Sequence, residues 1–252
     1  MLGTRGGALH VRRKVLQEGR ESKPLFARRC PCLAKERGRY TGGMRTVLAA
    51  TSNQGKLRDF AAAAGPFAID VQPLPGFASL PAVAEDGATF EENARKKAEH
   101  YSRFAPGEVV MADDSGLEVE ALGGAPGVIS ARYAAARDGR ENNSSDAENN
   151  ARLLEELREV PADRRRARFV CVIAAARDGR TLATFRGEVA GMILFEERGT
   201  GGFGYDPLFF VPALNRTFGE ASAEQKAAVS HRGRAFRRFL EWYTTERNRE
   251  IR

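Results

Sequence analysis

No stretch of 18 consecutive apolar residues occurs in this 252-residue chain, which excludes a helix long and greasy enough to span a bilayer. Cysteine is scarce. Cys30, Cys32 and Cys171 are too few for a scaffold held by disulfides. Cys30 and Cys32 form a C-x-C with no second pair beside it, so the spacing does not make a zinc site. No internal repeat is present, and the balance of 42% hydrophobic and 29% charged residues is that of an ordinary globular protein.

The net charge of +7 suggests a nucleic-acid binder until its distribution is considered. Residues 1–43 hold eleven Lys and Arg against three acids, a net of +8, so the rest of the chain is close to neutral at −1. The basic character belongs to this leader alone, and no stable nucleic-acid partner is expected. The leader has no sustained apolar period and reads as disordered. It lacks the apolar core of a secretory signal. Met44 reads as a start site, with residues 1–43 an upstream extension and 44–252 the functional domain.

After Met44, the apolar run Thr46–Thr51 reads as a buried strand, followed by a polar loop and a helix over Leu57–Ala64 that Gly65-Pro66 ends. A second strand is expected over Ala68–Gln72. Thr89 is the expected N-cap of a helix running to about Phe104. A strand over Glu108–Ala112 is expected to deliver Asp113-Asp114 at its end. Ser145 caps a helix carrying Leu153, Leu154 and Leu157. Asp178-Gly179 joins two strands, Arg168–Ala176 and Thr181–Val189, in a hairpin. The last helix is expected over Arg232–Arg247. Early alternation of strands and helices followed by a late hairpin implies an α/β domain with a mixed sheet.

Five segments carry chemistry. Thr51-Ser52-Asn53-Gln54-Gly55-Lys56 places small polar residues, a glycine and a lysine between a strand and a helix, a turn able to aim N–H groups at an anion. It is not a P-loop, because Ala50 and Leu57 stand where that motif needs Gly and Ser/Thr. Asp113-Asp114-Ser115-Gly116 puts two carboxylates among apolar neighbours, suited to a hard cation or to taking a proton from water. Glu85-Asp86 offers a further carboxylate for the same cation. Gly199–Gly204 formally matches G-x-G-x-x-G, but Tyr205-Asp206-Pro207 cannot continue a helix, which removes the dinucleotide reading. The same loop offers Phe203 and Tyr205 for stacking on a base and Asp206 for reading its edge. Lys226 and Ser230-His231-Arg232 add donors near the last helix.

Together these segments resemble the inosine/xanthosine triphosphate pyrophosphatases, which remove deaminated purine nucleotides. The matching stretches are AATSNQGKLRDF (49–60), DGATFEENARKKA (86–98), ADDSGLEVEALGGAPGVISARYA (112–134), GTGGFGYDPLFFVP (199–212) and EQKAAVSHRGRA (224–235), in the family's order. The resemblance implies a two-lobed α/β fold with a long curved mixed sheet and a substrate cleft between the lobes. It implies a cytoplasmic homodimer that hydrolyses ITP, dITP or XTP to the monophosphate and pyrophosphate with Mg²⁺. By position, Thr51, Ser52, Asn53, Gln54, Gly55, Lys56 and Lys97 would hold phosphates. Asp114 would be the catalytic base and, with Glu85, a metal ligand. Ser115 would touch substrate. Phe203, Gly204, Tyr205, Asp206, Lys226, His231 and Arg232 would form the base pocket. The chain departs from the family at Ser52, where Gly is usual, and at Glu85-Asp86, where two Glu are common. Two other functions compete: a septum-inhibitor-type pyrophosphatase for pyrimidine or modified nucleotides, and a basic-armed nucleotide- or nucleic-acid-binding module without catalysis.

Overall fold

A computed structural model describes residues 45–140 and 142–250. The readings made of residues 1–43, of the Cys30–Cys32 pair and of Met44 lie outside them. The elements in chain order are β1 (Arg45–Ala49), α1 (Gln54–Ala64), β2 (Ile69–Pro73), α2 (Phe90–Ser102), β3 (Val110–Val119), α3 (Tyr133–Arg137), α4 (Asp146–Glu156), β4 (Arg166–Arg177), β5 (Arg180–Ile193), β6 (Phe209–Val211), β7 (Arg216–Thr217), α5 (Ala223–Val229) and α6 (His231–Glu250). The strands form one seven-stranded sheet in the order β2-β1-β3-β4-β5-β6-β7. β1 is parallel to both neighbours, and every other pairing is antiparallel. The expected mixed α/β sheet is therefore present.

Local chemistry sets the boundaries. Asn53, Thr89, Ser145 and Ser222 each accept a backbone N–H of the first helical turn with the side chain. Such a cap is worth about 1 kcal/mol. Ser145 with Glu148, and Ser222 with Gln225, complete reciprocal capping boxes. Asp178 and Gly179 both adopt positive φ, 51° and 81°, which suits the tight β4–β5 hairpin. Three expectations need correction. The Asp113-Asp114 pair is not at the end of a strand but in the middle of β3, opposite Ile173 and Val172 of β4. Helix α2 stops at Ser102 rather than Phe104, and α6 extends from His231 to Glu250.

Alternation along β3 sorts the core. Val109 and Met111 join Phe60 of α1 and Phe236 and Phe239 of α6 in one apolar cluster. Val110 and Ala112 join Phe90, Ala94 and Ala98 of α2 in another on the opposite face. Leu117 and Val119 belong to a third cluster with Leu153, Phe169 and Phe209. Odd-numbered residues share one face of the strand. On that face apolar side chains give way at Asp113 and Ser115 and resume at Leu117. The apolar clusters thus share one continuous sheet, with Asp113 and Ser115 between two of them on this face.

Gly187 of β5 lets the start of α6 settle onto the sheet. A Cβ there would lie 2.2 Å from the His231 carbonyl oxygen and 2.4 Å from the Ala235 nitrogen. Gly187→Val is expected to lower stability by about 2 kcal/mol, the usual scale of overpacking. Urea denaturation measures it, and an unchanged midpoint would mean that α6 is not seated there.

Candidate active site

The site exists because β1 stops early. It pairs with β3 only at Leu48–Val110 and Ala49–Met111. After the Ala50 N–H reaches the Met111 carbonyl at 2.8 Å, the chain turns away through Thr51–Asn53. The β3 edge is taken up again farther along, where the Leu117 N–H donates to Ser130 Oγ and the Val119 N–H to the Ala125 carbonyl. Between these points a cavity of about 470 Å³ opens against Asp113, Asp114 and Ser115.

One wall is the turn into α1. Thr51 Oγ1 accepts the Asn53 N–H, and Asn53 Oδ1 accepts the Lys56 N–H. Thr51, Ser52, Asn53 and Lys56 face the cavity from this turn. Ser52 is not among the positive-φ residues, so it occupies the usual glycine position without strain.

Adjacent carboxylates of β3 serve opposite faces. Asp113 points to the α1/α6 side. Both of its oxygens lie 3.0 Å from Lys56 Nζ, and Oδ2 lies 3.8 Å from Arg232 Nε. Burial alone would raise the Asp113 carboxyl, but Lys56, Arg232 and Lys97 outweigh it and hold it at about 2. Asp114 points to the α2 side, where Lys97 donates to Oδ1 at 2.9 Å and Asn93 donates to Oδ2 at 3.2 Å. Lys97 also donates to Glu85 at 2.8 Å. Burial raises the Asp114 carboxyl, with Lys97 and Lys56 opposing it. Glu85 experiences the same upward push from burial, but Lys97 holds it below its ordinary value. The expected catalytic acid and its expected co-ligand therefore meet at one ammonium. Among the described residues no group of three or more His, Cys, Asp or Glu is placed to hold a metal; two carboxylates converge instead.

The opposite wall carries the Gly-rich loop and the start of α6. Arg232 is almost fully buried. It donates to Asp59 at 2.7 Å and to Ser115 Oγ at 2.9 Å, while its Nε has no hydrogen-bond partner. His231 stacks on Phe169 with ring centroids 4.7 Å apart. Burial, then Arg232 and Lys226, push its pKa well below the ordinary histidine value, so it is neutral. The ring of Phe203 lies on Gly55, with the Arg232 guanidinium 5.2 Å from its centroid. Gly204 donates to Asp146 of α4, and the Tyr205 hydroxyl donates to the Ser130 carbonyl.

Thr51, Ser52, Asn53, Lys56, Glu85, Lys97, Asp114, Ser115, Phe203, Gly204, Tyr205, Asp206, His231 and Arg232 all line this one cavity. Gln54, Gly55 and Lys226 do not. Gln54 opens α1 at the surface, Gly55 lies under Phe203, and Lys226 is buried behind the wall. Asp206 lines the cavity and is also held from within the protein. Its Oδ2 accepts the Phe203 N–H at 2.9 Å and Lys226 Nζ at 2.7 Å, so the carboxylate fixes the loop. Gly202 permits this, since a Cβ there would lie 2.0 Å from that oxygen.

Sequence reasoning passed over Asp59, Asn93 and Asp146, and gave Asp113 no part of its own. Asp59 had a signal: it stands three residues after Lys56 on the same face of α1. Asp146 and Asn93 had none beyond their helix positions. The charged contacts run continuously from Lys56 through Asp113, Arg232, Asp59 and Lys226 to Asp206.

Residues 47–242 match the family model described as the Ham1 family. The chain belongs to the Ham1 family. It is 52% identical over 197 residues to the dITP/XTP pyrophosphatase of Acidobacterium capsulatum, covering 77% of this chain and 96% of that one. It is 47% identical to the dITP/XTP pyrophosphatase of Exiguobacterium sibiricum, covering 79% and 97%. The solved Ham1 protein of Staphylococcus aureus superposes with a TM-score of 0.66 at 41% identity, covering 80% of this chain and all of that one.

In this Ham1 family member, neutral His231 gives a pH dependence. Its native pKa lies below the unfolded value near 6.5, so the unfolded chain takes up the proton first on acidification. The stability present above pH 6.5 is expected to fall below it, by up to about 1.4 kcal/mol per pH unit. His231→Phe, which keeps the stack on Phe169, is expected to flatten this slope in thermal unfolding between pH 7 and 5. An identical slope in the variant would place the titration elsewhere.

Proposed function

We propose that this protein hydrolyses deaminated purine nucleoside triphosphates (ITP, dITP and XTP) to the monophosphate and pyrophosphate. The observation that carries the proposal is one cavity with two unlike ends. One end has the small polar residues of the turn into α1, two lysines and two converging carboxylates. The other has an aromatic ring, a neutral histidine and a buried guanidinium. The dITP/XTP pyrophosphatases to which the chain is about half identical support the same reading.

The phosphates are held by Thr51, Ser52, Asn53 and Lys56 at the turn into α1. Asp114 accepts a proton from the water that attacks the α-phosphorus. Burial, which raises its proton affinity, suits it to that role. The new P–O bond forms to this water oxygen, the bond between the α-phosphorus and the bridging oxygen breaks, and pyrophosphate leaves. Attack at the γ-phosphorus would release orthophosphate instead. Lys97, between Asp114 and Glu85, stabilises charge that builds on the transferring phosphate. Asp114 and Glu85 are hard oxygen donors, and two carboxylates completed by phosphate oxygens and water fit Mg²⁺. A bound Mg²⁺ would neutralise phosphate charge there. Phe203 stacks on the base. Arg232 offers only donors, which suits the 6-carbonyl of hypoxanthine or xanthine and leaves adenine's amine unmatched. Homodimer formation and a cytoplasmic location belong to the same proposal and rest on the family resemblance. Among the described residues no helix is long and apolar enough to cross a membrane.

Pyrophosphate release is expected from ITP, dITP and XTP with Mg²⁺, and far less from ATP. A panel in which pyrimidine triphosphates turn over best would favour the septum-inhibitor type. Asp114→Asn is expected to lower kcat by about 10²–10⁴-fold, the usual reach of a positioned base, while nucleotide binding survives. An undiminished kcat would take Asp114 out of the mechanism. Arg232→Ala is expected to narrow the ITP/ATP ratio of kcat/KM. A ratio that stays put would mean that the carbonyl is read elsewhere.

A further inference from the structure

We propose that Asp113 is a positioning residue that couples the two ends of the cavity: it pairs with Lys56 while the phosphate end is empty and turns to Arg232 when a phosphate draws Lys56 away. The inference rests on the functional reading above for what occupies each end.

Among the described residues Asp113 is the carboxylate that contacts both Lys56 and Arg232. Its side chain is 2% exposed, as against 20% for Lys56 and 4% for Arg232. Lys56 is thus the partner that solvent and phosphate can reach. Both Asp113 oxygens lie at hydrogen-bond distance from Lys56, whereas Arg232 Nε stands 3.8 Å away and is buried with no hydrogen-bond partner. An unpaired buried donor beside a carboxylate is costly, and a small movement removes the cost. That movement is blocked only while Lys56 holds both oxygens. Ser115 keeps the pieces in line: its hydroxyl donates to Asp113 Oδ2 at 3.2 Å and accepts from Arg232 Nη2 at 2.9 Å. Anchored by Asp59 on Nη1, the guanidinium can pivot toward Asp113 without leaving its place. When phosphate takes Lys56, Asp113 is released to close on Nε and fix the plane of the group that meets the base. Phosphate at one end then tightens base binding at the other, and by linkage the base tightens phosphate binding equally.

Inosine and inorganic pyrophosphate, which are not joined to each other, serve as probes in titration calorimetry with Mg²⁺. In the full-length protein, saturating pyrophosphate is expected to tighten inosine binding roughly 5–10-fold, the lower range of such couplings. Asp113→Asn is expected to reduce that effect to less than twofold. Lys56→Met gives the opposite signature: Asp113 is already free for Arg232, so inosine alone binds as tightly as it does to the wild type with pyrophosphate. A merely structural role predicts weaker inosine binding in both variants. Coupling that survives in Asp113→Asn, or inosine affinity unchanged or lowered in Lys56→Met, overturns the proposal; where the asparagine variant does not fold, the methionine variant decides it. If wild-type protein shows the coupling yet releases no pyrophosphate from ITP, the functional reading fails and the coupling stands.

Discussion

Neighbouring residues of a β-strand send their side chains to opposite faces of the sheet, and the site of this protein is built on that constraint. Asp113 and Asp114 are adjacent, yet they answer to different helices. Asp113 meets Lys56 of α1 and Arg232 of α6, and Asp114 meets Asn93 and Lys97 of α2. Both reach one cavity because β1 ends before them and leaves the β3 edge open. A β1 two or three residues longer would pair that edge and close the space. The length of one strand and the alternation of another thus decide where the cavity opens and which helices supply its cations.

So many buried charges are tolerated because none of the principal ones stands alone. Removing an ion from water costs several kcal/mol unless a partner and further hydrogen bonds repay it. Lys97 lies between Asp114 and Glu85, Arg232 between Asp59 and Asp113, and Lys226 between Asp206 and Asp59. Burial would strip protons from Lys97 and Arg232, yet the neighbouring carboxylates hold them more firmly than usual. An apolar core of the same volume would be as stable or more so. What the charges supply instead is orientation, since each cation is already aimed before a ligand arrives.

Much of this was legible in the residues. The caps at Thr89 and Ser145 and the Asp178-Gly179 hairpin follow from local rules and appear as expected, and the strand–turn–helix around Thr51–Lys56 is present with α1 beginning three residues earlier, at Gln54. The mid-strand position of Asp113-Asp114 did not, because two carboxylates followed by Ser-Gly look like a turn, and only the ten-residue pairing with β4 overrides that propensity. The contacts of Asp206 were hidden for a related reason. Sequence shows a carboxylate beside aromatics; only the three-dimensional approach of Lys226 and the Phe203 N–H shows that one of its oxygens is held by the protein. Helical spacing held the clue to Asp59, but its partner Arg232 lies 173 residues away. Residue types announce chemistry, whereas pairings across the sheet decide who performs it.

The base end shows why an arginine, rather than any cation, belongs there. A guanidinium has five N–H donors in a rigid plane and accepts nothing. In this protein Asp59 takes one end of the fork and Ser115 the other, so the directions of the remaining donors are set by acceptors on α1 and β3 rather than by the flexible arginine stem. A lysine at the same position would keep the charge and lose the plane, and with it the fixed angle at which a carbonyl must approach. If Arg232 reads the base as proposed, its angle is set by Asp59 and Ser115, and the helix that carries Lys56 also supplies one of these two acceptors.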